Sequence, residues 1–220
     1  MIATREEWLK ERLNGIGASE AASIMNLSPY KSNLQLWEEK TGRRIAKDIG
    51  DKPYVKFGIE AEKHIRALFA LENPQYLVSY EEFKIIRNPV YPFIFATLDG
   101  ELSEMDESSP MRLVKRSGVW ECKTTEIMRA GQWDEWNGKI PNNYYIQVLH
   151  QLLATGYDFT VLTARIRYTD RDGNKKSVTQ DYTIERALVL DDLEYLLQEE
   201  IKFWDSVKND RQPNLMLPEI

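Results

Sequence analysis

A single cysteine, Cys122, occurs in the 220-residue chain, which excludes an intrachain disulfide and a cysteine-rich zinc site. Histidine is almost as sparse. His64 and His150 are the only two; both fall in helical patterns and read as packed or solvated side chains rather than catalytic ones. No apolar run reaches membrane-spanning length, and the opening residues Met1-Ile2-Ala3-Thr4-Arg5-Glu6-Glu7 lack the apolar centre of a signal peptide. The expectation is a soluble cytoplasmic protein without a membrane association. Repeats, low-complexity tracts and Pro- or Ser-rich linkers are missing too, and with six Trp and 42% apolar residues the chain is most simply one domain over 1–220. Nor is there an excess of positive charge: the formal net charge of −6 argues against a protein that coats nucleic acid nonspecifically.

The elements alternate in type. Thr4 and Glu7 form a capping box that opens a helix to about Leu13. After the small-residue turn Asn14-Gly15-Ile16-Gly17 come Ser19 and a short helical run, Glu20 to Met25. Ser32 and Gln35 cap a helix from Asn33 to Thr41, stopped by Gly42. Pro53 starts a longer helix to about Glu72, with Ile59, Ile65, Leu68 and Phe69 on a core stripe. Strands are predicted over Leu77–Ile86, Phe93–Leu98 and about Arg112–Lys123. Helical spacing returns after Thr124-Thr125 and is clearest over Asn142–Ala154. Phe159–Tyr168 and Val178–Ile184 form a hairpin across Asp172-Gly173, and Asp191 begins a C-terminal helix to about Lys208. Helices before, between and after strands indicate an α/β domain with a central sheet.

Two acidic motifs carry the chemistry. Asp99-Gly100 closes one apolar segment, and Glu121 and Lys123 lie two apart in a second. On a strand these two share a face while Cys122 points to the other. Paired carboxylates offer Mg²⁺ the hard oxygen ligands it prefers, and an ammonium beside them can orient a water or screen a phosphate. Read singly, Asp-Gly is a common turn and Glu-x-Lys a common solvated face. A third acid lies in the long helix: Glu60 and Glu62 are about 200° apart around it, so only one can face a common site. Glu62 shares a face with Ile59, Ile65, Arg66 and Phe69, whereas Glu60 falls near Lys63 and His64. A partly buried Glu62 needs a partner, either a cation at the site or Arg66. The negative net charge does not exclude a nuclease, because metal-binding carboxylates contribute to it and phosphate contacts need only a local basic surface. Arg43-Arg44 with Lys47, and Arg112 with Lys115-Arg116, are candidates for one; Lys175-Lys176 read as the solvated flanks of a hairpin. Trp133, Trp136, Tyr144 and Tyr145 suit base stacking and suit core packing equally well.

The joint order of Arg12 and Ser19, then Glu60 and Glu62, Asp99-Gly100, Glu121-x-Lys123, and Tyr144 with Gln147 resembles the YqaJ-type viral recombinase family, the family of phage lambda exonuclease. The resemblance runs from about Trp8 to Gln151. It implies a PD-(D/E)XK restriction-endonuclease-like core, a central mixed β-sheet flanked by helices, forming a single nuclease domain over 1–220. By the same resemblance Asp99, Glu121 and the Cys122 carbonyl would hold Mg²⁺, with Mn²⁺ as a substitute, and Glu62 would lie in a second metal site or its water shell. Lys123 would position or deprotonate the attacking water, Gln147 would hold that water or a neighbouring side chain, Arg12 and Ser19 would bind a 5′-terminal phosphate, and Thr97 would contact a backbone phosphate. The implied activity is 5′→3′ digestion of one strand of linear duplex DNA, leaving 3′ overhangs for a single-strand annealing protein, by a homotrimeric ring in the cytoplasm of a phage-bearing bacterium. Leu98 stands where the family name has proline, and Glu104–Pro110 makes the Asp99–Glu121 interval a hairpin with an acidic tip. Rival readings are an endonuclease or nickase of the same superfamily, a noncatalytic DNA-binding module and, last, a ribonuclease.

Overall fold

The computed structural model describes residues 4–46, 49–106 and 113–214. Thr4 caps α1 (Arg5–Glu11) by accepting a hydrogen bond from the Glu7 N–H at 3.2 Å, and Glu6 and Glu7 lie in the first turn, where the helix dipole favours acids. A 3₁₀ turn over Arg12–Asn14 and the short strand β1 (Ile16–Gly17) lead into α2 (Ala18–Ile24). Ser32 and Gln35 exchange the reciprocal bonds of a capping box at the head of α3 (Asn33–Lys40), and Gly42 follows it at φ 74°, a backbone geometry that favours glycine. Pro53 occupies the first turn of α4 (Pro53–Glu72), where its missing N–H has no helical partner to lose.

Two sheets follow. In the smaller, β1 pairs in parallel with β4 (Ile94–Ala96), which pairs antiparallel with β3 (Ile86–Arg87). The larger has the order β2 (Tyr76–Ser79), β5 (Gly100–Met105), β6 (Val114–Ile127), β7 (Phe159–Thr169) and β8 (Lys175–Glu185). Its β6–β7 pair is parallel and the other pairs are antiparallel, so the sheet is mixed. A parallel pair needs a long crossover. Here it contains α5 (Asn142–Thr155), whose buried residues run from Ile146 to Ala154 with one break. α5 packs between the larger sheet and a layer made by α2, β4 and α6 (Leu190–Lys208). On the opposite face of the larger sheet Phe69 of α4 joins Leu102, Trp120, Phe159 and Val161.

Three expectations are corrected. Leu77–Ile86 is two strands in different sheets, because the chain turns between them with Phe83 at φ 59°. The hairpin expected between Asp99 and Glu121 has Gly100–Met105 as its first arm, paired antiparallel with β6. The strand bearing Glu121 continues to Ile127, so Glu121 and Lys123 lie within it rather than at its end. On α4 the stripe is half right: Phe69 is buried and Ile65 packs beneath the sheet, whereas Ile59 and Leu68 are 61% and 45% exposed. That helix touches the sheet along a seam narrower than its apolar pattern. The tip of the β5–β6 hairpin (residues 107–112), and with it Arg112, lies outside the described residues, as does Lys47.

Gly118 is fixed by packing. A Cβ placed there would meet ring atoms of Phe159 at 2.5 Å, and that ring is fully buried. Gly118→Ala is therefore expected to destabilise the fold by about 1–3 kcal/mol, the usual cost of overpacking, read as a lower urea midpoint. An unchanged midpoint would show that the Phe159 ring moves aside freely.

Candidate active site

The site forms where β5 leaves β6. Their pairing ends at Gly100 opposite Trp120, so the main-chain N–H of Cys122 on that edge loses its ladder partner. The Asp99 carboxylate takes it instead, accepting at Oδ2 over 2.9 Å. In a strand the N–H and C=O of one residue point to the same side, so the Cys122 carbonyl also turns toward Asp99. The Cys122 side chain points to the other face and packs beside Trp120 and Phe69, where burial first, and then Asp99 and Glu121, push its thiol pKa far up.

Glu121 is 2% exposed and faces α5. Gln147 donates to its Oε1 at 2.7 Å and Gln151, one helical turn on, donates to Oε2. Lys123, on the same face as expected, places Nζ 2.6 Å from Glu121 Oε1 and 5.0 Å from the ring centroid of Tyr144. Gln147 thus meets a neighbouring side chain, one of the two expected roles. Gln151 was not anticipated; two glutamines four apart on a helix facing an acidic strand were the signal.

Glu62 pairs with Arg66 at 2.8 Å, and the same guanidinium donates to the Asp99 main-chain carbonyl, tying α4 to the Asp99 turn. Glu60 faces outward and pairs with Lys63 at 2.6 Å. The three inward carboxylates sense one another. Burial, then Glu121 and Glu62, hold Asp99 well above the ordinary carboxylate range against the opposing pull of Lys123 and the Cys122 N–H. Glu62 is raised as well, by burial and then by Glu121, with Arg66 and Lys123 pulling the other way. For Lys123 burial acts downward, but Glu121 and Asp99 outweigh it and the ammonium is raised. Three acids against two cations leave a deficit of positive charge.

Arg12 and Ser19 also meet: Nη2 donates to Ser19 Oγ at 3.2 Å, and the guanidinium lies 4.7 Å above the Trp8 ring. Thr97, between β4 and β5, accepts from Trp8 Nε1 at 2.9 Å, so one indole links the Arg12 cluster to the strand preceding Asp99. The other basic candidates carry acidic partners. Arg43 pairs with Asp210, Arg44 with Glu38, and Lys115 and Arg116 with Glu104. Trp136 packs against Tyr144 and Tyr182, and His150 is fully buried. Among the described residues no three His, Cys, Asp or Glu side chains are grouped to enclose a metal ion by themselves, and no helix is long and apolar enough to cross a membrane.

Residues 7–158 match the YqaJ-like viral recombinase domain. The chain is 29% identical over 214 residues to the uncharacterized protein YqaJ of Bacillus subtilis (strain 168), covering 96% of this chain and 59% of that one. It is 27% identical over 158 residues to the uncharacterized protein R354 of Acanthamoeba polyphaga mimivirus, covering 70% of this chain and 27% of R354. It therefore spans less than two thirds of the length of either curated relative. Two solved structures share the fold. One is the alkaline exonuclease LHK-Exo of Laribacter hongkongensis, with TM-score 0.63 and 20% identity over 93% of each chain. The other is a phage-related exonuclease from Haemophilus somnus 129PT, with TM-score 0.53 and 12% identity over 89% of this chain and 96% of that one.

Proposed function

The chain belongs to the YqaJ-like viral recombinase domain family, and from that premise we propose that it is a metal-dependent 5′→3′ exonuclease that digests one strand of linear duplex DNA and leaves 3′ overhangs. The observation that carries this reading is the convergence of Asp99, Glu121 and Lys123 at the point where β5 leaves β6.

The donor set fits a hard divalent cation. Two carboxylates and a main-chain carbonyl suit Mg²⁺, which takes oxygen ligands and seldom an all-protein cage, and three acids against two cations favour added positive charge. Asp99, Glu121 and the Cys122 carbonyl would hold Mg²⁺ or Mn²⁺, with Glu62 behind them. Bound there, the ion supplies Lewis-acid polarisation of the phosphate and a more acidic water. Gln147 and Gln151 fix the Glu121 carboxylate from both oxygens. Lys123, as the ammonium, donates to the attacking water and meets the charge that grows on the phosphate oxygens. Arg12 and Ser19 receive the 5′-terminal phosphate, so each cut regenerates the group that the pocket holds, and Thr97 lies beside the backbone. The partners of this reading are duplex DNA ends, a single-strand annealing protein and further copies of the chain in a trimeric ring, acting in the bacterial cytoplasm.

The deciding assay offers linear duplex with 5′-phosphate or 5′-hydroxyl ends, beside a closed circle, in Mg²⁺ or EDTA. Loss of the phosphorylated linear strand in Mg²⁺ alone is the expected result. Nicking of the circle would mean an endonuclease, and no cleavage would mean a binding module. Arg12→Ala is expected to reduce the preference for phosphorylated ends about tenfold, the worth of one charge-assisted contact, while rates on hydroxyl ends stay near wild type. Unchanged discrimination would remove Arg12 from end recognition.

A further inference from the structure

Beneath Arg12 lies an ion pair that the reaction scheme leaves unused. Lys40, on the last turn of α3, is 1% exposed at its side chain, and its Nζ donates to Glu20 Oε2 at 2.8 Å and to the Arg12 main-chain carbonyl at 2.7 Å. Glu20 Oε2 also accepts the Gly17 N–H at 2.9 Å, while Oε1 stands 3.7 Å from Arg12 Nη2. The guanidinium rests on the backbone of Gly17, where an added Cβ would come within 3.2 Å of Nη2. Arg12 is thus held by the Trp8 ring, Ser19, Gly17 and a carboxylate that stops short of a close ion pair.

We propose that Lys40 is a positioning residue for 5′-phosphate recognition: by holding the Glu20 carboxylate, it keeps Glu20 from closing on Arg12 and leaves that guanidinium open to an anion. The inference rests on the end-pocket reading of Arg12 and Ser19. Lys40 is too buried to touch DNA, so its effect passes through Glu20 and through the carbonyl of Arg12 itself. The charge count sets the ligand class. Arg12 and Lys40 against Glu20 leave one net positive charge, which favours a terminal monoester, carrying about −1.5 to −2 near neutral pH, over an internal diester carrying one negative charge. Without Lys40 the local sum is zero, and Glu20 becomes a competitor for the guanidinium that the phosphate needs. Lys31 adds no second clamp, since it is engaged by Glu39.

The test is anisotropy in EDTA with blunt duplexes that differ only in a 5′-phosphate or a 5′-hydroxyl, on proteins whose melting temperatures are measured alongside. Wild type is expected to prefer the phosphate, Lys40→Met to lose about tenfold of that preference, and the charge-neutral double variant Glu20→Gln/Lys40→Met to regain most of it. A packing role alone gives no such recovery. A folded Lys40→Met protein with wild-type preference overturns the proposal. So does a folded double variant that binds both ends alike, and this second result decides the matter if Lys40→Met fails to fold. A wild-type protein indifferent to the phosphate would instead overturn the end-pocket reading, and Lys40's role with it.

Discussion

Lys123→Ala is expected to lower the single-turnover cleavage rate by about 10³-fold, the scale of removing a preorganised donor from a phosphoryl or acyl transition state, while duplex binding stays measurable. The expectation rests on the position of the side chain. It is partly accessible at 19%, its Nζ reaches Glu121 at 2.6 Å, and the Tyr144 ring limits its swing. Truncation leaves Asp99, Glu121 and Glu62 facing Arg66 as their remaining cation, which favours entry of metal and disfavours the donor role alone. Lys123→Arg is expected to recover little, because a planar fork cannot reproduce a compact ammonium at that position. Gel analysis of linear duplex beside anisotropy separates the two effects, and a Lys123→Ala protein that cuts at the wild-type rate takes this lysine out of the mechanism.

The largest stability effect is expected away from the chemistry, at His150 and Glu200. Both are 0% exposed. His150 Nδ1 lies 2.6 Å from Glu200 Oε1 and Nε2 lies 2.8 Å from the Phe95 carbonyl, two acceptors that a doubly protonated ring satisfies together. Glu200 Oε2 finds no partner among the described residues. Removing one member of a buried pair costs about 3–5 kcal/mol, because the other charge is stranded, whereas replacing both by apolar groups is often close to neutral. Glu200→Leu should therefore lose stability on that scale, and His150→Leu/Glu200→Leu should recover most of it. Urea unfolding of wild type, both single variants (Glu200→Leu and His150→Leu) and the double variant tests this, and simple additivity of the single losses would exclude the coupling. Burial acts to lower the His150 pKa, but Glu200 and the Phe95 carbonyl outweigh it and leave the group raised above 6.5. A folded state that holds its proton more tightly than the unfolded chain gains stability that is complete below about pH 6.5 and is lost as pH climbs through the raised value. Wild-type unfolding free energy should accordingly fall as pH rises above 6.5, a slope missing from the double variant.

Much of this was legible from neighbours in sequence. Pro53 fixed where α4 begins, Ser32 and Gln35 where α3 begins, and the period-2 rule put Glu121 and Lys123 on one face. What stayed hidden depends on partners distant in the chain. The strand Gly100–Met105 carries Glu101 and Glu104, which look like loop acids until Lys84, Tyr157 and Arg116 are seen to satisfy them. His150 could be read as packed, but not as paired with a residue fifty positions on. Ile59 and Leu68 follow the helical period and are exposed all the same, because period reports direction and not the width of the surface opposite. Gln151 and Lys40 escaped for a related reason: each is a polar side chain whose partner is a carboxylate elsewhere, Glu121 for one and Glu20 for the other.

The division into two sheets places the two proposed tasks in different stretches of the chain. Arg12, Ser19, Glu20 and Lys40 belong to the first forty residues, around the small sheet, while Asp99, Glu121 and Lys123 belong to the large one. The two regions meet through β1 against β4, through the Trp8–Thr97 indole bond, through the Glu11–Arg87 ion pair and through α2 packed against α5 and α6. On the proposed reading, exposed substitutions around Arg12 and Ser19 would alter which DNA terminus is accepted while leaving Asp99, Glu121 and Lys123 in place, whereas substitutions at Ala21 or Ala22 would disturb the core shared with α5. A library confined to those forty positions is where a protein engineer would look for new end specificity.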